Sequence, residues 1–454
     1  MPKSAGFRSF LAIVLAGALI ASGQPVEAQR RIGLLRDAET EHIIRTMSRP
    51  IFDAAGLDPD SVLILLVNDP GLNAFVAGGQ NIFLHTGLIL HSDDPLRLLG
   101  VIAHETGHIA GGHLVRGQEA MEGASAQALL SMLLGVAAVA ASGGAAAGAG
   151  AAVMSGGAEM ARRAFLSFNR TQESSADQAG LSYLERSGLS PRGMLEFLEF
   201  LAVEDARPTN AQVEYVRTHP LTQDRVSAVR FALERSRHAG AQPKPEIVEM
   251  HRRMRAKLYA YVNPQGAVRR YPETDTSIVA RYARAYSLYR RNEIPRALQA
   301  IDGLIAAEPN NPFFHELRGE MLVRSGRIAE AIPSYRRAVE LVPTSALIQT
   351  AYAQALLETG DNSLVNTAIR ALETALRYEE RSAEGWRLLA VAWNRQGDPG
   401  KTAYATAEAA LSRGDRVAAR HWSERAMKLL PTGSPHWVRA QDIGMIVSKE
   451  RTQE

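Results

Sequence analysis

The residues with most chemistry to offer lie in Val101-Ile102-Ala103-His104-Glu105-Thr106-Gly107-His108-Ile109-Ala110. On a helix, two histidines four residues apart are turned by about 40° on one face, the spacing for two ligands on one metal ion. Glu105 follows the first of them. It stands beside such an ion, where its carboxylate takes a proton from water instead of binding the metal. Leu96, Leu98, Leu99, Val101, Ile102 and Ile109 surround these polar residues, which places them on a largely buried helix. Buried imidazoles and carboxylates need partners, and a zinc ion supplies one. The pattern predicts a metal-dependent hydrolase with one Zn2+ per chain.

That helix is expected from about Leu96 to Val115, capped by Asp93-Asp94-Pro95 and weakened at Gly111-Gly112. His113 comes one residue too early for the third ligand of the H-E-x-x-H-x-x-G-x-x-H pattern, whose last position holds Leu114. If the helix continues, His113 is rotated about 140° from His108 and supports the site instead of ligating. The third ligand must come from elsewhere. The best source is Asn169 to Asp177, where Glu173 and Asp177 are one helical turn apart. One carboxylate binds the metal and the other accepts an imidazole N–H. His104, His108 and Glu173 then leave a fourth position for water, with Asp177 as the support.

Other elements must hold these segments. Asp37 to Ala55 has helical spacing at Ile43, Ile44, Met47 and Ile51, with Pro50 a late kink or stop. Ser61 to Val67 reads as a buried strand, and Asn73 to His85 as a hairpin around Gly78-Gly79. The hairpin either offers an open edge to an extended peptide or only covers the core. His85 and His91 read as structural or solvated residues.

The 454 residues, 46% apolar and 22% charged, suit a globular chain of two or three domains. A formal charge of +3 gives no reason to invoke nucleic acid. The absence of cysteine excludes disulfides, thiolate ligands and a lipid-bearing cysteine. Met1 to Ala28 has a basic start, an apolar run from Phe10 to Ala21 and Val26-Glu27-Ala28 before Gln29, the form of a cleaved export signal. Ala124 to Ala158 carries no charge and is rich in Ala and Gly. Its length suits a membrane span, but its glycines and small side chains favour a helical hairpin or plug beside the site, with peripheral membrane contact open to it.

Residues 29–270 are expected to form the peptidase domain. Asn263-Pro264-Gln265-Gly266 and Pro272 mark a boundary, and a repeat domain follows at 275–440 with a tail at 441–454. Pro309 and Pro343, like Ala297 and Ala331, stand 34 residues apart, the tetratricopeptide period. Further units use Ala353, Leu356, Ala368 and Leu372, then Trp386, Leu389 and Trp393, then Ala419, Ala426 and Pro431. Such repeats stack into a superhelix whose concave face binds a partner or folds against the peptidase. Solvation is the plain reading of Arg284, Arg290 and Arg291.

His104 to His108, Glu173-x-x-Ala176-Asp177 and Thr218-His219-Pro220 with Arg225 after it resemble the zinc metallopeptidase family that includes HtpX, the CAAX prenyl endopeptidases and mitochondrial Oma. Asn73-Ala74-Phe75 and Thr86-Gly87-Leu88 match the family's wording before the zinc helix. An export signal in front and repeats behind are most similar to its periplasmic BepA-type branch, which acts in outer-membrane β-barrel assembly.

The resemblance implies a mainly α fold: an α+β zincin-like domain with a small sheet, followed by an α-solenoid of tetratricopeptide repeats. It implies His104, His108 and Glu173 as zinc ligands, Glu105 as general base, and a periplasmic location with outer-membrane association. It also implies clients among unfolded or stalled outer-membrane proteins, with the β-barrel assembly machinery as a further partner. Finally, it places His219 over the metal, in the open position. Read from the residues alone, His219 on its turn either stabilises an oxyanion or blocks water, and Arg225 either serves that oxyanion or pairs with Asp224 or Glu214. The competing class is an assembly chaperone or scaffold with a latent metal site. No oligomeric state follows from the sequence.

Overall fold

The computed structural model describes residues 33–116, 169–207 and 213–449. The export signal expected at 1–28 and the Ala/Gly-rich segment at 124–158 lie outside the described residues.

Helix α1 (Ala38–Ala55) begins where the Asp37 carboxylate accepts the Thr40 N–H at 2.7 Å, and ends at Gly56 with φ 72°. Pro50 does not stop it. The proline is exposed, so the carbonyl that loses its N–H partner can meet water, while buried Ile51 and Phe52 hold the last turn. Four strands follow the order β1-β2-β4-β3: β1 (Leu34–Leu35), β2 (Leu63–Val67), β3 (Ala74–Ala77) and β4 (Asn81–His85). β2 and β4 run parallel, with Val67 opposite His85. β3 and β4 form the expected hairpin, with Gly78 and Gly79 at φ 60° and 99°. Alternation puts Ala74, Val76, Ile82 and Leu84 in the core, while Phe75 and Phe83 stack at 4.8 Å on the other face. Among the described residues β3 is an edge.

After α2 (Thr86–His91), the Asp94 carboxylate caps α3 (Pro95–Ala110) by accepting the Leu96 N–H. α3 stops short of Val115: Gly112 takes a left-handed turn at φ 62°, and helix resumes at 113–116. The described helical residues 169–187 (α4), α5 (Arg192–Asp205), α6 (Glu214–Thr218) and α7 (Gln223–Arg235) complete this part of the fold. Its core gathers Ile44, Phe52, Leu66, Leu84, Ile102 and Leu198.

The repeats are helix pairs: α10 (Ile278–Arg290) with α11 (Ile294–Ala307), α12 (Pro312–Arg324) with α13 (Ile328–Leu341), α14 (Ala346–Glu358) with α15 (Val365–Tyr378), α16 (Ala383–Gln396) with α17 (Pro399–Ser412), and α18 (Arg416–Leu429) with α19 (Pro435–Lys449). α11 and α13 start 34 residues apart, as do α12 and α14. A Cβ on Gly319 would sit 2.9 Å from the Tyr335 ring, so the small residue lets α12 and α13 close. Residues 441–449, expected as tail, are helical because Ile443 and Val447 are buried in the repeat core. Arg290 lies over the Tyr261 ring, and Arg284 donates to the carbonyls of Pro272 and Asp275, so neither is merely solvated.

The two cores meet before residue 275. α8 (Pro245–Val262) buries Met254 and Leu258 in the first core, and Ala256 and Ala260 in the second; α9 (Pro264–Arg270) adds Ala267 to the second. Ala38 of α1 is buried with Phe313, Ala338 and Ile348 of the repeats. A charged knot ties the same elements. The Lys257 ammonium on α8 is 2.5 Å from Asp37 and 3.2 Å from Glu39, and the Tyr282 hydroxyl of α10 donates to Glu39. Burial alone would lower the pKa of Lys257, but Asp37 and Glu39 raise it well above its ordinary value. Lys257→Ala strands the buried Glu39 and the half-buried Asp37 carboxylate and is expected to destabilise the fold by about 3–5 kcal/mol. A shift of the urea midpoint checks this, and a loss below about 1 kcal/mol would mean that water replaces the ammonium.

Candidate metal centre

His104 and His108 project from one face of α3, and Glu173 and Asp177 face them from α4. The helices must be close for this. A Cβ on Gly107 would lie 2.6 Å from the Ala176 carbonyl oxygen, and one on Gly180 3.0 Å from that of Ala103. Larger residues there would push the carboxylates away from the imidazoles.

His219, the C-cap of α6, completes a group of four. Nε2 of His104 is 3.1 Å from Nε2 of His108, 3.4 Å from Nδ1 of His219 and 3.3 Å from Oε2 of Glu173. Oε1 of Glu173 is 3.3 Å from Nε2 of His108 and 3.1 Å from Nδ1 of His219. A tetrahedral ion with bonds of about 2.0–2.1 Å has donor–donor edges of about 3.3–3.4 Å. The residues therefore fit zinc. Glu105 adds a second sign: it is wholly buried, and neither carboxylate oxygen has a hydrogen-bond partner among the described residues. A carboxylate so placed is costly unless positive charge or water stands beside it.

The surrounding contacts orient the imidazoles. Nδ1 of His104 donates to Asp177 at 2.8 Å, which turns the Nε2 lone pair inward. On the other imidazole, Nδ1 of His108 lies 3.0 Å from Nδ1 of His113. The sequence expected His113 to point away along a continuing helix; the left-handed turn at Gly112 brings it back. A Cβ on Gly111 would meet its ring at 2.4 Å. Burial first, then His108 and Arg116, push His113 down to about 4, so it stays neutral and can accept the His108 N–H.

Burial alone would raise the Glu173 carboxyl, but His104, His108 and His219 pull it far below its ordinary range. Burial likewise works against a charged His104, yet Asp177 and Glu173 raise it to about 10.

Arg225 of α7 requires a correction. It pairs with neither Asp224 nor Glu214: Nε and Nη2 donate to Asp177 at 2.6 and 2.9 Å, while Nη1 reaches Glu173 and the Pro220 carbonyl, each at 2.9 Å. With every guanidinium nitrogen engaged, it holds the two carboxylates and the His219-Pro220 turn in place. Tyr215, which the sequence reading passed over, stacks on His219 with centroids 4.5 Å apart. Its place four residues before His219 was the available signal. A cleft of about 220 Å3 opens between Phe75 and Val76 of edge strand β3, Glu105, His113, Thr218 and His219.

Residues 36–232 match peptidase family M48, and residues 282–346 and 350–419 match the tetratricopeptide repeat. The chain is 28% identical over 337 residues to the beta-barrel assembly-enhancing protease of Escherichia coli strain K12, a match covering 72% of this chain and 66% of that one. It is 27% identical over 342 residues to the protein of the same name from Yersinia pestis, covering 73% and 68%. The metalloprotease LoiP of E. coli is 26% identical over 233 residues, covering 50% and 85%. The chain thus spans slightly less than two thirds of the E. coli assembly-enhancing protease.

Removing a partner of a ligating imidazole is expected to loosen metal without removing a donor. Asp177→Asn and His113→Ala should each weaken zinc affinity by roughly 10–100-fold, read by competition with a chromophoric chelator. Unchanged affinity in His113→Ala would reduce that residue to packing.

Proposed function

From a chain that carries an M48 peptidase domain followed by tetratricopeptide repeats, we propose a zinc-dependent endopeptidase of the periplasm that hydrolyses misfolded or stalled outer-membrane proteins, its repeats binding those clients. The observation that carries the reading is the convergence of His104, His108 and Glu173 beside the unpartnered Glu105 carboxylate. The export-signal pattern of Met1 to Ala28 supports the location, and the names of the relatives support the client class.

When bound by His104, His108 and Glu173, zinc supplies Lewis acidity toward a peptide carbonyl and toward water. The chain's own residues do the rest. The free edge of β3 pairs with an extended main chain and lays a peptide bond along the cleft without demanding a side-chain sequence. Glu105 accepts a proton from the water that attacks the carbonyl carbon and hands it to the amide nitrogen as the C–N bond breaks. Asp177 and His113 keep the imidazoles aimed, and Arg225 keeps Glu173 and Asp177 charged.

A second reading has its own observation. Nδ1 of His219 is 3.4 Å from His104 Nε2 and 3.1 Å from Glu173 Oε1, which supports a resting protein whose fourth metal position is taken by His219 and whose constant activity is that of a binding scaffold. His219 is held there by Tyr215 and by a contact of Nε2 with the Ala74 carbonyl at 3.2 Å.

Purified exported chain loaded with zinc, incubated with casein or an unfolded outer-membrane barrel, separates the readings. Glu105→Gln should lower cleavage by about 10²–10⁴-fold while retaining zinc. Cleavage equal to wild type in that variant would overturn the peptidase assignment. His219→Ala is expected to cleave faster than wild type. If both wild type and His219→Ala are inert yet bind the barrel, the scaffold reading stands.

A further inference from the structure

A second group of donors converges outside this centre. Asp69 lies in the turn after β2, His85 ends β4, and Glu214 is the first residue of α6. Nδ1 of His85 is 3.6 Å from Asp69 Oδ1 and 3.9 Å from Glu214 Oε2, too far for hydrogen bonds. His85 is only 4% exposed, and its Nδ1 is buried with no hydrogen-bond partner. Gly71 leaves the space these atoms face. A Cβ built on it would lie 2.9 Å from Asp69 Oδ1, 3.3 Å from Glu214 Oε2 and 3.7 Å from His85 Nδ1. Asp69 Oδ1 also accepts the Gly71 N–H at 2.7 Å, which fixes that carboxylate on its turn.

An ion with bonds of about 2.0–2.2 Å holds its donors about 3–4 Å apart, as His85 Nδ1 stands from each carboxylate, and all three donors lie within 4.8 Å of one another. One imidazole with two carboxylates suits a divalent transition ion better than a hard cation that takes oxygen alone. We propose that His85, Asp69 and Glu214 form a second divalent-cation site, which fastens α6 to the sheet and so holds His219 at the metal centre. The link is short. α6 runs only from Glu214 to Thr218 before His219, and among the described residues its other hydrogen bonds to the sheet side are Tyr215 N–H to the Leu72 carbonyl, the Thr218 hydroxyl to Asn73 and, from its cap, His219 Nε2 to the Ala74 carbonyl. The second site is more open than the first, with Asp69 39% and Glu214 46% exposed in their side chains. It therefore leaves room for water ligands and exchanges its ion more readily.

The test counts metal and does not depend on peptidase activity. The full exported chain, stripped with chelator, is titrated with zinc by calorimetry and elemental analysis. Wild type should take up two zinc ions of different affinity. Glu214→Gln, Asp69→Asn and Gly71→Ala should each retain the tight ion and weaken the other by at least tenfold, and His104→Ala should retain the weaker one. Gly71→Ala keeps all three donor residues and their charges, so its loss of the weak ion excludes a mere charge effect. Backbone hydrogen exchange over 213–219 should slow between the first and second equivalents in wild type and not in Glu214→Gln. A single zinc in wild type, unaltered by Glu214→Gln and Gly71→Ala, would leave the cluster without an ion and overturn the site. Two ions without a change in exchange would overturn the hold on His219.

Discussion

The candidate metal centre depends on how closely α3 and α4 pass. Gly107 and Gly180 allow backbone to approach backbone, and each helix then presents one functional pair, His104 with His108 and Glu173 with Asp177. Because a four-residue step sets each pair on one face, closing the helices brings all four side chains together in a single motion. No loop is asked to hold a ligand of α3 or α4. Rigid helices hold donors more accurately than loops do, which suits a site whose donor spacing must match one ion.

Charge balance then shapes what surrounds the donors. Glu105, Glu173 and Asp177 are buried carboxylates, and Arg225 is the buried guanidinium among them. With neutral imidazoles, two negative charges remain, the amount a divalent ion cancels. This explains why Arg225 is drawn to the carboxylates and not toward the cleft. It also leaves Glu105 as the one of the three whose oxygens take no hydrogen bond among the described residues, the condition a proton-transfer group needs.

The part that matches peptidase family M48 and the repeats are held by shared elements and not by a linker alone. α8 divides its faces between two cores, and Lys257 joins α8, α1 and α10 through buried charge. Such a joint has strong directional demands, since moving either side would leave a charge without its partner. α6 is a contrasting element: five residues long, it reaches the centre through His219 and rests on the sheet side by few contacts.

Much of this was legible in the chain. The H-E-x-x-H and E-x-x-x-D spacings, the hairpin at Gly78-Gly79 and the 34-residue period are local patterns, and local backbone geometry converts them directly into faces, turns and pairs. What could not be read concerns segments distant in sequence. His113 returned to His108 because one glycine adopted a left-handed turn, Arg225 chose Asp177 and Glu173 over its neighbours, and α8 served two cores. His85 read as an isolated histidine until folding brought Asp69 and Glu214 beside it. Sequence by itself determined which donors exist and how each helix presents them, since a helix has one geometry. Tertiary structure alone decided which donors meet, because those distances are set by packing between segments that the chain order does not specify.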